Sequence, residues 1–445
     1  MIERVLVANR GEIAVRLVGA CRELGVESVV ACSDVDREGM AARLADRAVV
    51  IGPGPATQSY LRPETIVQAA LATGCDAIHP GYGFLSENAG FAALAIGEGL
   101  RFVGPRPEVI ELAGDKLRSR EVAREAGIPL IGGREVSDPG EAEELAAELG
   151  YPVLLKAAAG GGGRGIKLAT DAAELRRQFG VAAAEAGSAF DDDRLYLERF
   201  IAAARHIEVQ VAADERGSVV HLGERDCSTQ RRYQKLLEES PAPHLGAAAR
   251  EEIRAAGIDF ARQIGYTNLG TVEFVYDAER GEFALLEMNC RIQVEHPVTE
   301  AVSGLDLVAE QLRIAAGEPL SFRQEDVRLA GHAIECRLTA EDPERDLLPC
   351  PGRLERFAVP RLPGLRVDTH CEPGTLIPPY YDSLMAKLIA HGPDREAARA
   401  LLLEALAGLD VEGVATNREL LARALADDRF AAGAVTTRWL EEALA

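Results

Sequence analysis

The segment from Leu286 to Pro297, L-E-M-N-C-R-I-Q-V-E-H-P, restricts this chain more than any other. Side chains alternate across a strand. A period of two therefore puts Glu287, Asn289, Arg291, Gln293 and Glu295 on one face, and Met288, Cys290, Ile292 and Val294 on the other. The apolar row is ordinary core. The polar row holds carboxylates, amides and a guanidinium where a solvated edge would carry Lys, Thr and Ser. Hard oxygen ligands followed by a fixed cation suit a divalent metal beside an anionic substrate. The plainer alternative is a half-exposed strand whose outward face is polar.

The rest of the chain supplies the context. Its 445 residues give a soft expectation of about three domains. A net charge of −22 argues against a general binder of nucleic acid or anionic membranes, so a polyanionic ligand must be held by local Lys and Arg. No apolar run is long enough to span a bilayer, and M-I-E-R-V-L-V-A-N-R has no signal-peptide pattern. Eight scattered cysteines without a C-x-x-C pair indicate reduced thiols in cytoplasm, neither a disulfide framework nor a zinc site.

Strands at 2–8, 28–32 and 48–51 alternate with helices, which predicts a doubly wound parallel sheet ending near residue 113. Asn9-Arg10-Gly11 has one glycine and reads as packing or interdomain contact rather than a nucleotide fingerprint. The loop His79–Asn88 follows a strand end, where ligands bind in such sheets, although a rigid structural loop would look the same.

Gly114-Asp115-Lys116 opens a helix at 118–126. A strand then ends at Lys156, before Ala157-Ala158-Ala159-Gly160-Gly161-Gly162-Gly163-Arg164-Gly165. Ile166-Lys167-Leu168 continues as strand, which rejects a Rossmann fingerprint, since that must open a helix. Strand, glycine loop, strand is a hairpin whose tip can lay backbone N–H groups over phosphates; a flexible linker is the alternative. The backbone of the strand Leu195–Ile201 could offer the mixed donor and acceptor of an adenine edge, although in isolation a plain strand is the favoured reading. His206, on the strand 205–210, is by itself more often structural than liganding. Glu224–Lys235 concentrates positive charge; a solvated basic turn is the usual explanation, and an anion site the favoured one. If residues 278–282 form a five-residue hairpin loop, Glu273 lies directly across from Glu287, and that opposition needs a cation. Farther on, Glu335 and Arg337 share a face of the strand His332–Leu338.

A Lys-tipped strand before a glycine hairpin, an opposed Glu pair and an Asn two residues after the second Glu resemble the ATP-grasp superfamily. The closer resemblance is to the biotin carboxylase family. It rests on V-A-N-R-G-E-I-A, H-P-G-Y-G-F-L-S-E-N-A, G-D-K, K-A-x-x-G-G-G-G-R-G, E-R-D-C-S-x-Q-R-R-x-Q-K, E-M-N-C-R-I-Q-V-E-H-P-V-T-E, H-A-I-E-C-R and P-P-Y-Y-D-S, in order, from residue 2 to the end. The implied fold is α/β and α+β. It comprises an N-terminal doubly wound parallel-sheet domain (1–113), an ATP-grasp domain with a glycine-rich lid (114–330, lid about 130–203) and a C-terminal α+β domain (331–445).

The resemblance implies ATP contacts at Lys116, Lys156, Gly162, Gly163, Glu198, Arg199, Phe200, Ile201, His206, Gln230 and Tyr233. It implies Mg²⁺ or Mn²⁺ on Glu273, Glu287 and Asn289, and bicarbonate on Lys235, Arg291, Gln293 and Val294. Glu295 would be the general base and Arg337 would face biotin. Tyr233 stands where the family usually has His, Ala159 where Gly is usual and Cys290 where Thr is common. No Met-Lys dipeptide occurs, so biotin would arrive on a separate carrier protein. The implied activity is ATP-dependent carboxylation of biotin by bicarbonate through carboxyphosphate, in a cytoplasmic homodimer. Its partners would be biotin carboxyl carrier protein and carboxyltransferase subunits, with acetyl-CoA carboxylase and fatty acid synthesis as the default setting. The alternatives are an ATP-grasp ligase of the carbamoyl-phosphate type and a non-catalytic relative.

Overall fold

The computed structural model describes residues 2–157, 166–190 and 194–444. The N-terminal sheet is parallel, in the order Arg47–Gly52, Glu27–Ser33, Arg4–Val7, Ala77–His79, Arg101–Phe102. Its inner strands, rich in Val, Ile and Ala, are buried on both faces by helices such as Gly11–Leu24 and Pro63–Ala72, whereas the edge strand Arg47–Gly52 is largely exposed. The order reverses on either side of Arg4–Val7, so the loops after Val7 and His79 meet at the switch point. There Asn9 donates its amide to the carbonyls of Pro80 and Tyr82, each at 2.7 Å. Gly81 lies at φ +63°, and a Cβ would come within 2.9 Å of that amide, so glycine is required.

Arg10 joins the N- and C-terminal parts, in line with the interdomain reading. Its Nε and Nη2 donate to Asp36 at 2.8 and 3.0 Å, Tyr60 donates to the same carboxylate at 2.7 Å, and the guanidinium lies 4.2 Å from the Tyr381 ring centroid. Burial pushes the Asp36 carboxyl up, but Arg10 and Tyr60 outweigh it and hold it below the ordinary range. Asp36→Asn should therefore cost about 2 kcal/mol at neutral pH. A depressed carboxyl contributes stability above its unfolded value, near ~3.9, and loses it as pH falls through the folded value. Denaturant midpoints of wild type and variant should accordingly converge in acid.

Residues 133–199 build a small sheet with its own core. Strands Gly133–Val136, Leu195–Arg199, Val153–Ala157 and Lys167–Ala169 pair antiparallel in that order under helices Pro139–Leu149 and Ala172–Phe190. Leu145, Val153, Leu155, Leu175, Phe179 and Leu197 fill the space between. The unit is tied to the centre where the Leu285 amide donates to the Pro129 carbonyl at 2.8 Å. The helix after Gly114 runs Lys116–Glu125, capped by Asp115, which accepts from the Leu117 and Arg118 amides.

The centre is one antiparallel sheet of eight strands. Its order is Glu282–Asn289, Asn268–Asp277, Ala204–Ala213, Val219–Arg231, Gln234–Ser240, His332–Thr339, Leu384–Gly392, Leu365–Thr369. It runs unbroken from the central third of the sequence into the last. The basic segment 224–235 is mostly paired strand rather than turn. Only Arg232 and Tyr233 turn, both at positive φ (50° and 64°), as a two-residue hairpin connection demands. None of the helices among the described residues is long and apolar enough to cross a membrane.

Candidate active site

The strand that carries Glu287 ends at Asn289. Past that point the Cys290 amide donates not to the neighbouring strand but to Glu87 Oε1 at 3.0 Å, from the loop after His79. Residues 290–295 then turn, and Glu295 sits at the N-cap of helix His296–Ser303. The period-two reading thus holds for Glu287 and Asn289 and fails for Arg291, Gln293 and Glu295. These three reach the same cavity through a turn.

The expected opposition of Glu273 and Glu287 is present, by a different route. The loop is 278–281, with Asp277 opposite Glu282, and Leu286 bulges out to restore the register, leaving Glu273 facing Glu287. The row is longer than expected, because Glu208 pairs with Glu273 on one side and Arg225 on the other. Across four strands it therefore reads Arg225, Glu208, Glu273, Glu287.

The charges in this row are heavily compensated at one end. Lys235 Nζ lies 2.7 Å from Glu208, 3.3 Å from Glu273 and 2.6 Å from Glu295. Glu273 also accepts from the amides of Asn289 (2.8 Å) and Gln293 (2.7 Å). His206 Nε2 is 2.9 Å from Glu273, an ionic contact without hydrogen-bond alignment, and Nδ1 is 3.0 Å from the Gln230 amide. Burial pulls His206 down, but Glu273 prevails and leaves it above its ordinary value. Glu287 differs. Burial and the facing Glu273 push its carboxyl up, with Lys116 acting in the opposite sense. A hard cation between the two acids would relieve that, so the oxygen donors fit Mg²⁺ or Mn²⁺. The Asn289 amide now turns its nitrogen to Glu273 and its oxygen to Arg291 Nη2 (2.8 Å), so it must rotate to present oxygen to a cation.

Glu295 is buried between two cations, Lys235 at 2.6 Å and Arg337 at 2.9 Å. Burial alone would raise its pKa; Lys235, Arg337 and Arg225 together hold it well below the ordinary range. Arg337 also donates through Nε to Glu238 at 2.6 Å. Arg291 spends three of its five N–H donors, on Glu87, Asn289 and the Ile292 carbonyl. The Gln293 amide is used at both ends, between Glu273 and Arg225. The Val294 carbonyl accepts from Lys387 at 2.9 Å.

Many of these groups line a cavity of about 760 Å³, with Glu87, Glu208, Arg225, Glu238 and Lys387 supporting them from outside its wall. Lys116, Lys156, Glu198, Arg199, Phe200, Ile201, His206, Gln230, Tyr233, Lys235, Glu273, Glu287, Asn289, Arg291, Gln293, Val294, Glu295 and Arg337 all lie on its wall. Gly162 and Gly163, with Ala159, fall outside the described residues. Lys156 is ion-paired with Glu198. The cavity's apolar lining includes Leu154 and a cluster of Ile131, Ile201, Val275 and Leu286 that forms an apolar slot. The amides of Arg199 and Phe200 donate to the Gly132 and Pro152 carbonyls, so these two N–H groups are not free to donate to a purine edge. Tyr233 is an exposed residue of the rim.

Four residues escaped the sequence reading. Glu208 and Arg225 need strand register to be seen, Glu87 needs the domain contact, and Glu238 needs the pairing of Gln234–Ser240 with His332–Thr339. The sequence carried signals for three of them: Arg225 lies in the basic segment Glu224–Lys235, Glu87 in the loop His79–Asn88, and Glu208 alternates with His206 and Gln210. All eight cysteines are free thiols.

Residues 1–110 match the family model for the biotin carboxylase N-terminal domain, and residues 335–442 that for the biotin carboxylase C-terminal domain. Residues 115–323 match the carbamoyl-phosphate synthase L chain ATP-binding domain. The chain is 49% identical to biotin carboxylase of Pseudomonas aeruginosa, over 100% of this chain and 99% of that protein. It is 45% identical to a pyruvate carboxylase subunit of Methanothermobacter thermautotrophicus, over 99% of this chain and 90% of that protein. Among solved structures it is similar to the biotin carboxylase domain dimer of Hydrogenobacter thermophilus 2-oxoglutarate carboxylase, which holds MgADP, ADP and bicarbonate. The TM-score is 0.94 and the identity 48%, over 99% of this chain and 98% of that one.

Proposed function

The chain belongs to the biotin carboxylase family and catalyses the ATP-dependent carboxylation of biotin by bicarbonate, and we propose that the cavity residues divide that reaction among them as follows. The apolar slot takes the adenine, while Lys116 and Lys156 offset charge on the phosphates. Lys235 and the two remaining donors of Arg291 hold bicarbonate beside the amide of Val294, near the N-terminus of helix His296–Ser303. Glu295, kept ionised, takes the bicarbonate proton as its oxygen attacks the γ-phosphorus. A divalent cation on Glu273, Glu287 and Asn289 would neutralise charge on the transferring phosphoryl group. Carboxyphosphate then breaks to CO₂ and phosphate, a base deprotonates the ureido nitrogen of biotin, and Arg337 stabilises the resulting oxyanion. The unit 130–203, with its separate core, is suited to act as a lid that excludes water.

The observation that carries this assignment is the placement of Glu295 between Lys235 and Arg337, beside the carboxylate row and within one cavity. It favours biotin over a carbamoyl-phosphate type of chemistry, because Arg337 lies outside the segment that matches the carbamoyl-phosphate synthase ATP-binding domain. We extend the reading to the three-part division 1–113, 114–330 and 331–445, a homodimer and a cytoplasmic site of action. It extends also to delivery of biotin by a carrier protein and use of carboxybiotin by a carboxyltransferase partner. Relatives serving pyruvate and 2-oxoglutarate carboxylases are about as similar as the Pseudomonas biotin carboxylase, so the carboxyltransferase, rather than this chain, would choose the acceptor. The test is phosphate release from ATP with Mg²⁺ and bicarbonate. Free biotin should stimulate it; no stimulation would sink the reading.

A further inference from the structure

Behind Arg337 the central sheet holds a second pair of opposed acids. Glu238 and Glu335 are cross-strand partners and are both fully buried. Side chains so placed have Cβ atoms roughly 5 Å apart. Glu238 Oε1 accepts from Arg337, but Glu238 Oε2 and both oxygens of Glu335 have no N–H or O–H donor among the described residues. The charged and titratable groups around them are already committed. Lys387, from the next strand, is bound to the Val294 carbonyl at 2.9 Å and lies 3.1 Å from Glu12. Lys235 and Arg337 are engaged with Glu295, and the Cys227 thiol is 4.0 Å from Glu295. Two adjacent buried carboxylates cannot both ionise at ordinary cost, and buried oxygens without donors are rare.

We propose that Glu335 is a carboxylic acid whose proton is shared with Glu238 Oε2, and that this proton makes the pair a positioning device for Arg337. One shared proton bridges two of the three orphaned oxygens, Glu238 Oε2 and one oxygen of Glu335, and leaves a single negative charge beneath the guanidinium. Arg337 is then held from below by Glu238 and from above by Glu295, with its charge available to the biotin oxygen. The electrostatics agree, since burial raises both acids, Glu238 to about 7 and Glu335 well above its ordinary range. Loss of the proton on alkalinisation would put a second carboxylate under Arg337 and draw it from the substrate.

The role for Arg337 rests on the biotin carboxylase reading; the shared proton does not. Infrared difference spectra at neutral pH should show a protonated-carboxyl carbonyl band in wild type that is lost in Glu335→Gln and shifted in Glu238→Gln. Glu335→Gln, which imitates the protonated acid, should keep kcat/KM for biotin within about threefold at neutral pH and lose the alkaline fall of the wild-type profile. Glu335→Ala should lose more than about tenfold. An unchanged band in both variants, or the same alkaline fall in Glu335→Gln, overturns the proposal. If wild type shows the band but no biotin-dependent turnover, the functional reading has failed and the shared proton stands.

Discussion

Glu295→Gln should lower biotin carboxylation by about 10³-fold while leaving ATP affinity within about twofold. The substitution keeps shape and hydrogen-bonding reach and removes only the charge that accepts a proton. The wild-type carboxyl is depressed by Lys235, Arg337 and Arg225 against its burial, so it is ionised at every pH above its ordinary range. Protonation of Glu295 therefore limits the wild-type rate only in acid, and the variant's loss should be flat across neutral pH. Such a low pKa also makes a resting carboxylate a weak base. On the proposed roles, bicarbonate entering between Lys235 and Arg291 would compete for Lys235 and so weaken one of the contacts that hold the pKa down. Isothermal titration with ATP separates the two readouts. A collapse of ATP affinity in the variant would show that Glu295 organises the nucleotide site instead of serving the proton transfer.

Arg225→Met should weaken the central sheet by about 3–5 kcal/mol. Arg225 is fully buried and donates to Glu208, Gln210, Thr299, Thr271 and Gln293, which belong to two neighbouring strands, the 290–295 turn and the helix after it. Methionine fills much of the same volume but leaves those acceptors in a dry interior without donors. Lysine keeps the charge with a single point of attachment and should recover only part of the loss. In a chain of this size, whole-molecule unfolding need not be two-state. Hydrogen exchange of Ala204–Ala213 and Val219–Arg231 reads the effect locally. Protection within a factor of ten of wild type would show that the network positions groups without holding the sheet together. Because Gln293 and Glu208 lose their anchor, activity should fall in the variant even where the sheet remains folded.

What was legible in the sequence follows from what local rules can encode. Glu287 and Asn289 lie on a paired strand, so period-two reading placed them correctly. The turn after Asn289 was not legible, because Glu87, some two hundred positions earlier, captures the Cys290 amide. Arg291, Gln293 and Glu295, expected on the same strand face, reach the same cavity through that turn instead. The Glu273–Glu287 opposition came out right on a wrong loop length, since the bulge at Leu286 offsets the shorter turn. Glu208 and Arg225 stayed hidden because their roles depend on register between strands that only the folded sheet supplies. The seamless sheet from Ser240 to Ala333 was likewise invisible, being a pairing across ninety-three positions that leaves no mark in either segment alone.

The most direct test of the account follows one oxygen atom. If bicarbonate attacks the γ-phosphorus of ATP at the Lys235–Arg291–Glu295 corner, its attacking oxygen stays with phosphorus when carboxyphosphate breaks down. Turnover with ¹⁸O-labelled bicarbonate, Mg²⁺, ATP and biotin should release phosphate carrying one labelled oxygen. Biotin-dependent turnover that releases unlabelled phosphate would contradict it.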